Sequence, residues 1–525
     1  MKNLLLIFLI SLSFFGISQN RYLVVFTDKV ETGFDSESYF DTAAVKSFQL
    51  QGLPAYDWFD LPVNENYIAE VEQLIDSVRF NLRWFNGTVV YGKTEQLSEI
   101  VKLPFVKDVI PLENSGEILS NDTIKKVIEL DVKKKFKVFD WQLETMGGSY
   151  FKKRKIDGSG IRVCILDVGF PNVDTDMATK HLFNGNYIEG WDFIRDKPLR
   201  FKGFKHGKQV LNFIAGKVDS HQVGLAPNVE LLLARTEWML TEKKYEEEVW
   251  IKAVEWAHKK GARIVNSSLG YSKNGHNHAE LNGRTSLVSL AGNLAARKGV
   301  LVINAAGNEG EDAWKRISIP ADADSVLSVG GISSETGARL GFSSYGPTQD
   351  LRMKPNVCAL GSVHVLDGKD LEIIDGTSFS APLVTGFAAC VLQLDPTLTP
   401  MELMDTIQKV SSLYPYYDYS HGFGVPQANK LFKDTLFRDT ASVVLLKSPG
   451  YLSDGYYFLK YTYDEDYDTQ IFYHVQSKKG YLKSYHVVSF DVEYDTPPRI
   501  YQKDLEVGDI IRVWHRGTYF EKVIK

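Results

Sequence analysis

The chain has 525 residues, 44% apolar and 24% charged, with a formal net charge of −6. That length exceeds what one hydrophobic core ordinarily organises and predicts two to four domains of globular composition. No basic excess is present, which excludes nucleic acid as the main partner.

Lys2 precedes an apolar run from Leu4 to Ser18, with the small residues Gly16 and Ser18 placed for a cut. This predicts a secretory signal over residues 1–18. No later stretch reaches the ~18 apolar residues of a membrane span, so no transmembrane anchor is expected, and no cysteine follows the run to carry a lipid. Three cysteines, Cys164, Cys358 and Cys390, are too few and too odd in number for a disulfide scaffold and read as buried thiols.

Residues 21–112 predict a small α+β unit. Arg21–Thr27 reads as a strand. Asn66 is placed to cap a helix with Ile68, Val71, Leu74 and Ile75 on one face. Val78, Phe80, Leu82 and Trp84 alternate with polar residues as a half-buried strand does. Thr88–Tyr91, Thr94–Leu103 and Val106–Leu112 follow as strand, helix and strand. That order, β-α-β-β-α-β, is ferredoxin-like. Residues 113–138 are polar and rich in lysine (Lys125, Lys126, Lys133–Lys135) and read as a solvated linker.

Between residues 139 and 437 short apolar runs alternate with amphipathic stretches, the pattern of βαβ units in a parallel sheet. Strands are expected at Ile161–Leu166, Val229–Ala234, Arg263–Ser268, Val300–Ala305 and Ser325–Gly330, with helices at Glu246–Lys259 and Arg284–Lys298. From residue 438 to 525 the runs Val443–Leu446, Tyr456–Tyr463, Gln470–Gln476, His486–Tyr494 and Asp509–His515 predict a small all-β, sandwich-like domain. The expected partition is therefore 1–18 signal, 19–138 first domain and linker, 139–437 central domain, 438–525 β domain.

The chemistry concentrates in the central domain. Asp167 ends the first apolar strand, where open parallel sheets gather reactive groups. His206-Gly207 opens an apolar helix running to Gly216. Gly376-Thr377-Ser378 opens another, where unpaired N–H groups favour developing negative charge. Pro382 is read as tolerable in that helix's first turn. A serine hydroxyl needs a base, itself oriented by an acid, to become a nucleophile. The order aspartate, histidine, serine is that of subtilisin-type triads, and the G-x-S-x-G elbow of esterases is absent.

Gly376–Gly386 resembles the nucleophile motif of the subtilases, the subtilisin-like serine endopeptidases. His206, Gly207 and Val210 match the family's general-base motif, with Lys208 and Gln209 replacing the threonine and histidine more usual there. Leu301–Gly310 resembles the oxyanion motif, so the resemblance implies Asn308 as donor beside the Ser378 N–H. Ser268, Leu269 and Gly270 match the edge against which an extended peptide pairs, and Ala305, Ala306 and Gly307 match a wall of the primary specificity pocket. Phe342–Pro347 and Lys354–Ala359 match structural stretches, so the resemblance spans roughly residues 155–400.

It implies a subtilisin-like three-layer α/β fold with a mostly parallel sheet and a triad of Asp167, His206 and Ser378. It also implies protein or peptide substrates, the first domain as propeptide and inhibitor, and a secreted protein, whether periplasmic, surface-bound or extracellular. No cofactor is implied for the chemistry. Asp174 and Asp176 are candidates for a structural calcium such as some subtilases bind, and no metal is assigned; His276, His278 and Glu280 read as a surface loop. Two other classes stay open: a catalytically weak subtilase-like binding protein, opposed by the complete triad, and an ester-directed serine hydrolase, opposed by the missing elbow.

Overall fold

The computed structural model describes residues 20–30, 32–112, 116–117, 124–128, 132–238, 242–243, 245–272, 276–367, 370–433, 443–448, 455–461, 470–489 and 499–525. The signal expected over 1–18 and the boundary expected at 437/438 lie outside the described residues. The chain divides into two compact units, one of residues 1–34 and 58–114, the other of residues 35–57 and 115–525.

In chain order the first stretch gives β1 (Asn20–Phe26), α1 (Ser36–Tyr39), α2 (Thr42–Leu50), α3 (Glu65–Glu72), β2 (Ser77–Leu82), β3 (Gly87–Gly92), α4 (Thr94–Ile100) and β4 (Val106–Leu112). The four strands form one sheet in the order β2-β3-β1-β4, the ferredoxin-like arrangement. Tyr22, Val24, Val71, Val90 and Ile100 pack beneath it. The cap of α3 is Asn64, whose side chain accepts from the Asn66 N–H at 2.9 Å. The sequence reading placed the cap at Asn66, because either asparagine can start the helix and only Asn64 has the extended backbone of a cap (φ −64°, ψ 117°).

The stretch read as a solvated linker carries structure instead. It forms β5 (Gly116–Glu117), β6 (Ile124–Ile128) and the first turns of α5 (Val132–Glu144). Each short strand finds its partner far along the chain, which local composition does not register.

The larger unit continues with α6 (Gly148–Arg154), β7 (Arg162–Asp167), β8 (Ile188–Asp192), β9 (Lys197–Pro198), α7 (His206–Ala215), β10 (Lys217–Val218), β11 (His221–Gln222), β12 (Glu230–Arg235), β13 (Glu242–Lys243) and α8 (Tyr245–Lys259). Then come β14 (Ile264–Ser267), α9 (Leu287–Arg297), β15 (Leu301–Ala305), β16 (Val326–Ile332), β17 (Val357–Leu360), β18 (Ser362–Asp367), β19 (Asp370–Asp375), α10 (Thr377–Leu394), α11 (Pro400–Lys409) and α12 (Ala428–Leu431). Eight strands form one sheet ordered β17-β16-β15-β14-β7-β12-β8-β9, parallel except for β9. All six residues of β7 are buried, as a sheet covered on both faces requires. Val163, Ile165, Leu231, Leu233, Leu301 and Ile303 pack in one core with α7 and α10. The alternate residues Cys164, Leu166, Leu232 and Val302 are equally buried. Cys358 and Cys390 are, like Cys164, buried free thiols.

α10 is the one described helix long and apolar enough to cross a membrane by composition, and it lies buried in this core.

The last strands are β20 (Val443–Ser448), β21 (Tyr456–Tyr461), β22 (Gln470–Gln476), β23 (Leu482–Ser489), β24 (Arg499–Tyr501), β25 (Ile510–His515) and β26 (Thr518–Val523). They form two antiparallel sheets, β20-β21-β24 and β23-β22-β25-β26. Tyr457, Leu459, Ile471, Tyr473, Ile511 and Val513 fill the core between them, so the tyrosines at 457 and 473 are packing residues. Residues 490–494 of the expected strand His486–Tyr494 lie outside the described residues.

Candidate active site

Asp167 closes β7 and is fully buried. Its carboxylate accepts from the Val168 N–H at 2.7 Å, and both its oxygens lie 2.9 Å from His206 Nδ1. His206 is the first residue of α7. Gly207 permits this approach: a Cβ there would sit 2.4 Å from the Gly169 carbonyl oxygen and 2.9 Å from the Asp167 Cβ. No side chain fits, so the His-Gly pair is a packing requirement of the acid–base contact.

Ser378 is the second residue of α10, where first-turn N–H groups have no intrahelical acceptor. Its hydroxyl donates to the Ser268 carbonyl at 3.2 Å. The Phe379 ring beside it lies 5.4 Å from the His206 ring. Pro382 lies inside α10, one turn further on than the sequence reading placed it. It therefore removes the N–H that would bond to the carbonyl of Ser378 four residues earlier. The Ser268 hydroxyl takes that place, donating to the Ser378 carbonyl at 2.7 Å. Ser268 is in turn held by the Asn266 amide at 3.0 Å, and Asn266 accepts from the Thr385 hydroxyl at 2.8 Å. The helix carrying Ser378 is thus pinned to the end of β14.

Asn308 follows β15. Its carboxamide oxygen accepts from both the N–H and the hydroxyl of Thr377, each at 2.9 Å. That fixes which end of the amide carries the N–H donors. Gly307 adopts φ +110°, and its N–H donates to Thr377 Oγ1 at 3.2 Å. Thr377, which the sequence reading gave no role, is therefore the residue that orients Asn308. Ala305 and Ala306 are buried in and just beyond β15. The Leu269 carbonyl accepts from Asn304 at 2.8 Å, and a Cβ on Gly270 would strike Ser318.

The two residues that depart from the subtilase base motif have defined surroundings. Lys208 Nζ lies 2.7 Å from Asp367 and 3.2 Å from Asp176. Lys205 Nζ lies 2.8 Å from Asp367 and 2.9 Å from Glu372. These lysines bracket His206 on α7, and the carboxylates of Asp367 and Glu372 belong to the β18–β19 hairpin, which runs directly into Ser378. Burial lowers the Lys208 pKa, but the hydrogen bond it donates to Asp367 and the charges of Asp176 and Asp367 outweigh it and hold the ammonium above the ordinary lysine value. Burial raises the Asp367 carboxyl, and both lysines outweigh that and hold it below the usual range. Gln209 is buried.

Asp176 is thus an ion-pair partner of an ammonium, which does not fit the donor set of a calcium site. Among the described residues no cluster of three or more histidine, cysteine or carboxylate side chains is placed to hold an ion. The stretch 276–280, read as a surface loop, is exposed at Asn277, His278 and Ala279, and within it the half-buried His276 has a carboxylate on each ring nitrogen, Glu280 at 2.6 Å and Glu247 at 2.9 Å. The pairing with Glu247 is the added feature, and Glu247 comes from α8, out of reach of local sequence.

A family model described as the subtilase family matches residues 158–425, and one described as the peptidase S8 propeptide domain of Bacteroidota matches residues 21–126. Subtilisin DY of Bacillus licheniformis is 28% identical over 257 residues, 49% of this chain and 85% of the relative. Subtilisin BL of Lederbergia lenta is 26% identical over 273 residues, 52% of this chain and 91% of the relative. The structure of fervidolysin from Fervidobacterium pennivorans, described as a keratinolytic enzyme related to subtilisin, superposes with a TM-score of 0.55 at 14% identity. That match covers 96% of this chain and 90% of that one, and supports the fold.

Proposed function

Because this chain belongs to the subtilase family and is a subtilisin-like serine endopeptidase with a propeptide domain, we propose that it cleaves peptide bonds through Ser378, His206, Asp167 and Asn308. Ser378 Oγ attacks the scissile carbonyl while His206 takes its proton on the ring nitrogen facing away from Asp167. Asp167 holds the ring and stabilises the imidazolium. The tetrahedral oxyanion accepts from the Asn308 amide and the Ser378 N–H. His206 then protonates the leaving amine, and water repeats the sequence to release the acyl group. Ser268, Leu269 and Gly270 would pair with the extended peptide, and Ala305, Ala306 and Gly307 would wall the pocket for the side chain before the scissile bond.

The observation that carries this reading is the pairing of two preset geometries. The imidazole is held on both oxygens of a buried carboxylate, and the Asn308 amide is turned by Thr377.

The proposal extends to export, through the apolar run after Lys2, and to latency, with the first domain acting as inhibitor until the chain is cut. The backbone of β5 already adds antiparallel to β13, so the larger unit accepts an extended strand from the stretch where maturation would occur.

Purified wild-type protein should lose its N-terminal region and hydrolyse peptides in preference to long-chain esters. Activity should rise from acid to neutral pH, because the imidazole must be neutral to accept the proton. Ser378→Ala should persist as the full-length precursor. Processing and peptide hydrolysis at wild-type rate in Ser378→Ala would refute the assignment.

A further inference from the structure

The turn that carries Asn308 is held from two sides. Thr377 fixes the amide from α10, and residues 342–344 hold the backbone of the turn. Ser344 N donates to the Gly307 carbonyl at 3.0 Å. The Glu309 N–H donates to Ser344 Oγ at 3.1 Å, and that hydroxyl donates to Glu309 Oε2 at 3.0 Å. Gly310 N donates to the Phe342 carbonyl at 2.6 Å. Asn308 therefore stands between two residues that Ser344 ties together.

The segment that does the tying needs support of its own. The carbonyls of Leu340, Gly341 and Ser343 converge on one point, and such dipoles repel unless a donor sits among them. Arg339 Nη1 supplies it, at 3.0, 2.7 and 2.6 Å. Its guanidinium carbon lies 4.7 Å from the centre of the Tyr345 ring and 5.9 Å from that of Tyr485, within the range of cation–π attraction. Tyr485 belongs to β23. From β22, Gln470 donates to the Thr336 carbonyl at 3.1 Å. Between these strands, a Cβ on Gly480 would lie 3.2 Å from Leu351 Cδ1. The β22–β23 hairpin thus lies along residues 336–351. A buried relay seats it: Tyr416 Oη donates to Asp418 at 2.9 Å and lies 2.9 Å from His474 Nδ1. Because Tyr416 gives its proton to Asp418, His474 of β22 is the donor to Tyr416, which fixes its tautomer.

From this we infer that Arg339 is a positioning residue for the oxyanion donor, and that Tyr485 of the C-terminal sheets holds Arg339 in place. The inference rests on the reading of Asn308 as that donor. It gives strands β20–β26 a part in turnover: they brace the turn that carries Asn308, and an enzyme that loses them loses rate. The expected signature is selective. A slack turn misplaces an amide used only in the transition state, so kcat falls while KM is kept.

Hydrogen exchange read by mass spectrometry tests the bracing without catalysis, in the full chain carrying Ser378→Ala. Tyr485→Ala should speed exchange in the peptides carrying the Gly310 and Ser344 amides about tenfold, while those of β7 keep their protection. The control Tyr481→Ala, exposed at the turn of the same hairpin, should change neither. Turnover is then measured on processed enzyme with Ser378 intact. Arg339→Ala should lower kcat about tenfold with KM changed less than about twofold, and Arg339→Lys should restore part of the rate. Should Arg339→Ala fail to fold, Tyr485→Ala carries the same test, with kcat down about threefold and Tyr485→Phe close to wild type. Unchanged exchange in Tyr485→Ala, or variants that lose thermal stability while kcat stays intact, overturn the inference. If wild-type enzyme hydrolyses no peptide, the proposed function fails, and the exchange arm still decides whether the hairpin braces the turn.

Discussion

At the C-terminal ends of β7 and β14 the chain assembles Asp167, His206, Ser378 and Asn308. At the N-terminal ends of the same strands it assembles Arg162, His258 and helix α2. The first assembly is made of short motifs whose residues carry their own reasons: a glycine that nothing else can replace beside Asp167, a threonine that turns an amide. The second is made of ordinary residues that acquire a role only through partners some 120 to 250 positions away, such as Asp41 with Arg162 and Gln51 with Gly299. Chemistry constrains residue identity locally, whereas docking constrains only shape and apolarity.

The largest expected effect separates the two ends directly. Asn308→Ala should lower kcat by about 10²–10³, or about 2.7–4 kcal/mol, a magnitude taken from the corresponding donor of subtilisin itself. Thermal stability should fall far less than activity: Thr377 loses its acceptor, but the larger loss falls on the transition state. A stopped assay of peptide hydrolysis alongside thermal unfolding checks both halves. An Asn308→Ala enzyme with kcat intact but a lowered melting temperature would reverse the roles assigned to the ends.

Gly261→Ala is the mirror experiment. Its φ of +77° disfavours any side chain, and the new Cβ would meet Ala44. The precursor should lose about 1–3 kcal/mol, read by denaturant unfolding. The kcat of enzyme that has shed its first domain should stay within twofold.

Lys208→Met tests the bridge between base and nucleophile. It removes an ammonium from between Asp176 and Asp367 and loosens α7 from the β18–β19 hairpin, so kcat/KM should fall about tenfold, or ~1.4 kcal/mol, with Lys208→Arg restoring part of it. The sign of its pH dependence is fixed by Asp367. Its depressed carboxyl contributes stability that is complete above the ordinary aspartate value of about 3.9 and is lost as pH falls through the lower folded value. The clamp should therefore fail only in strong acid, below the range in which protonation of His206 removes activity. A Lys208→Met profile that differs from wild type chiefly near neutral pH would contradict this placement.

The same contrast explains how much was legible in the sequence. The positions of Asp167, His206, Ser378 and Asn308 were readable because the strand ends and helix starts that carry them are marked by glycine and an apolar run. The central strands were readable because burial on both faces leaves no polar alternation to confuse them. The seats of β5 and β6 were not, because two- and five-residue strands leave too short a pattern, and their partners β13 and β19 lie more than a hundred residues away. Lys208 registered only as a departure from a motif. Its meaning needed Asp367, 159 positions further on. The packing of Phe40, Ala44 and Phe48 beside His258 was missed for a related reason: they keep helical spacing, but across a break between α1 and α2 that splits the stripe.

The central claim is that Ser378 is a nucleophile activated by His206 and oriented with Asn308, and covalent labelling tests it most directly. A phosphonate reagent that reacts only with activated serine hydroxyls, applied to the processed enzyme at neutral pH, should place one label per chain on the peptide containing Ser378. His206→Ala should abolish the labelling. Peptide hydrolysis that continues while Ser378 stays unmodified, or a stoichiometric label on a different residue, would contradict the account.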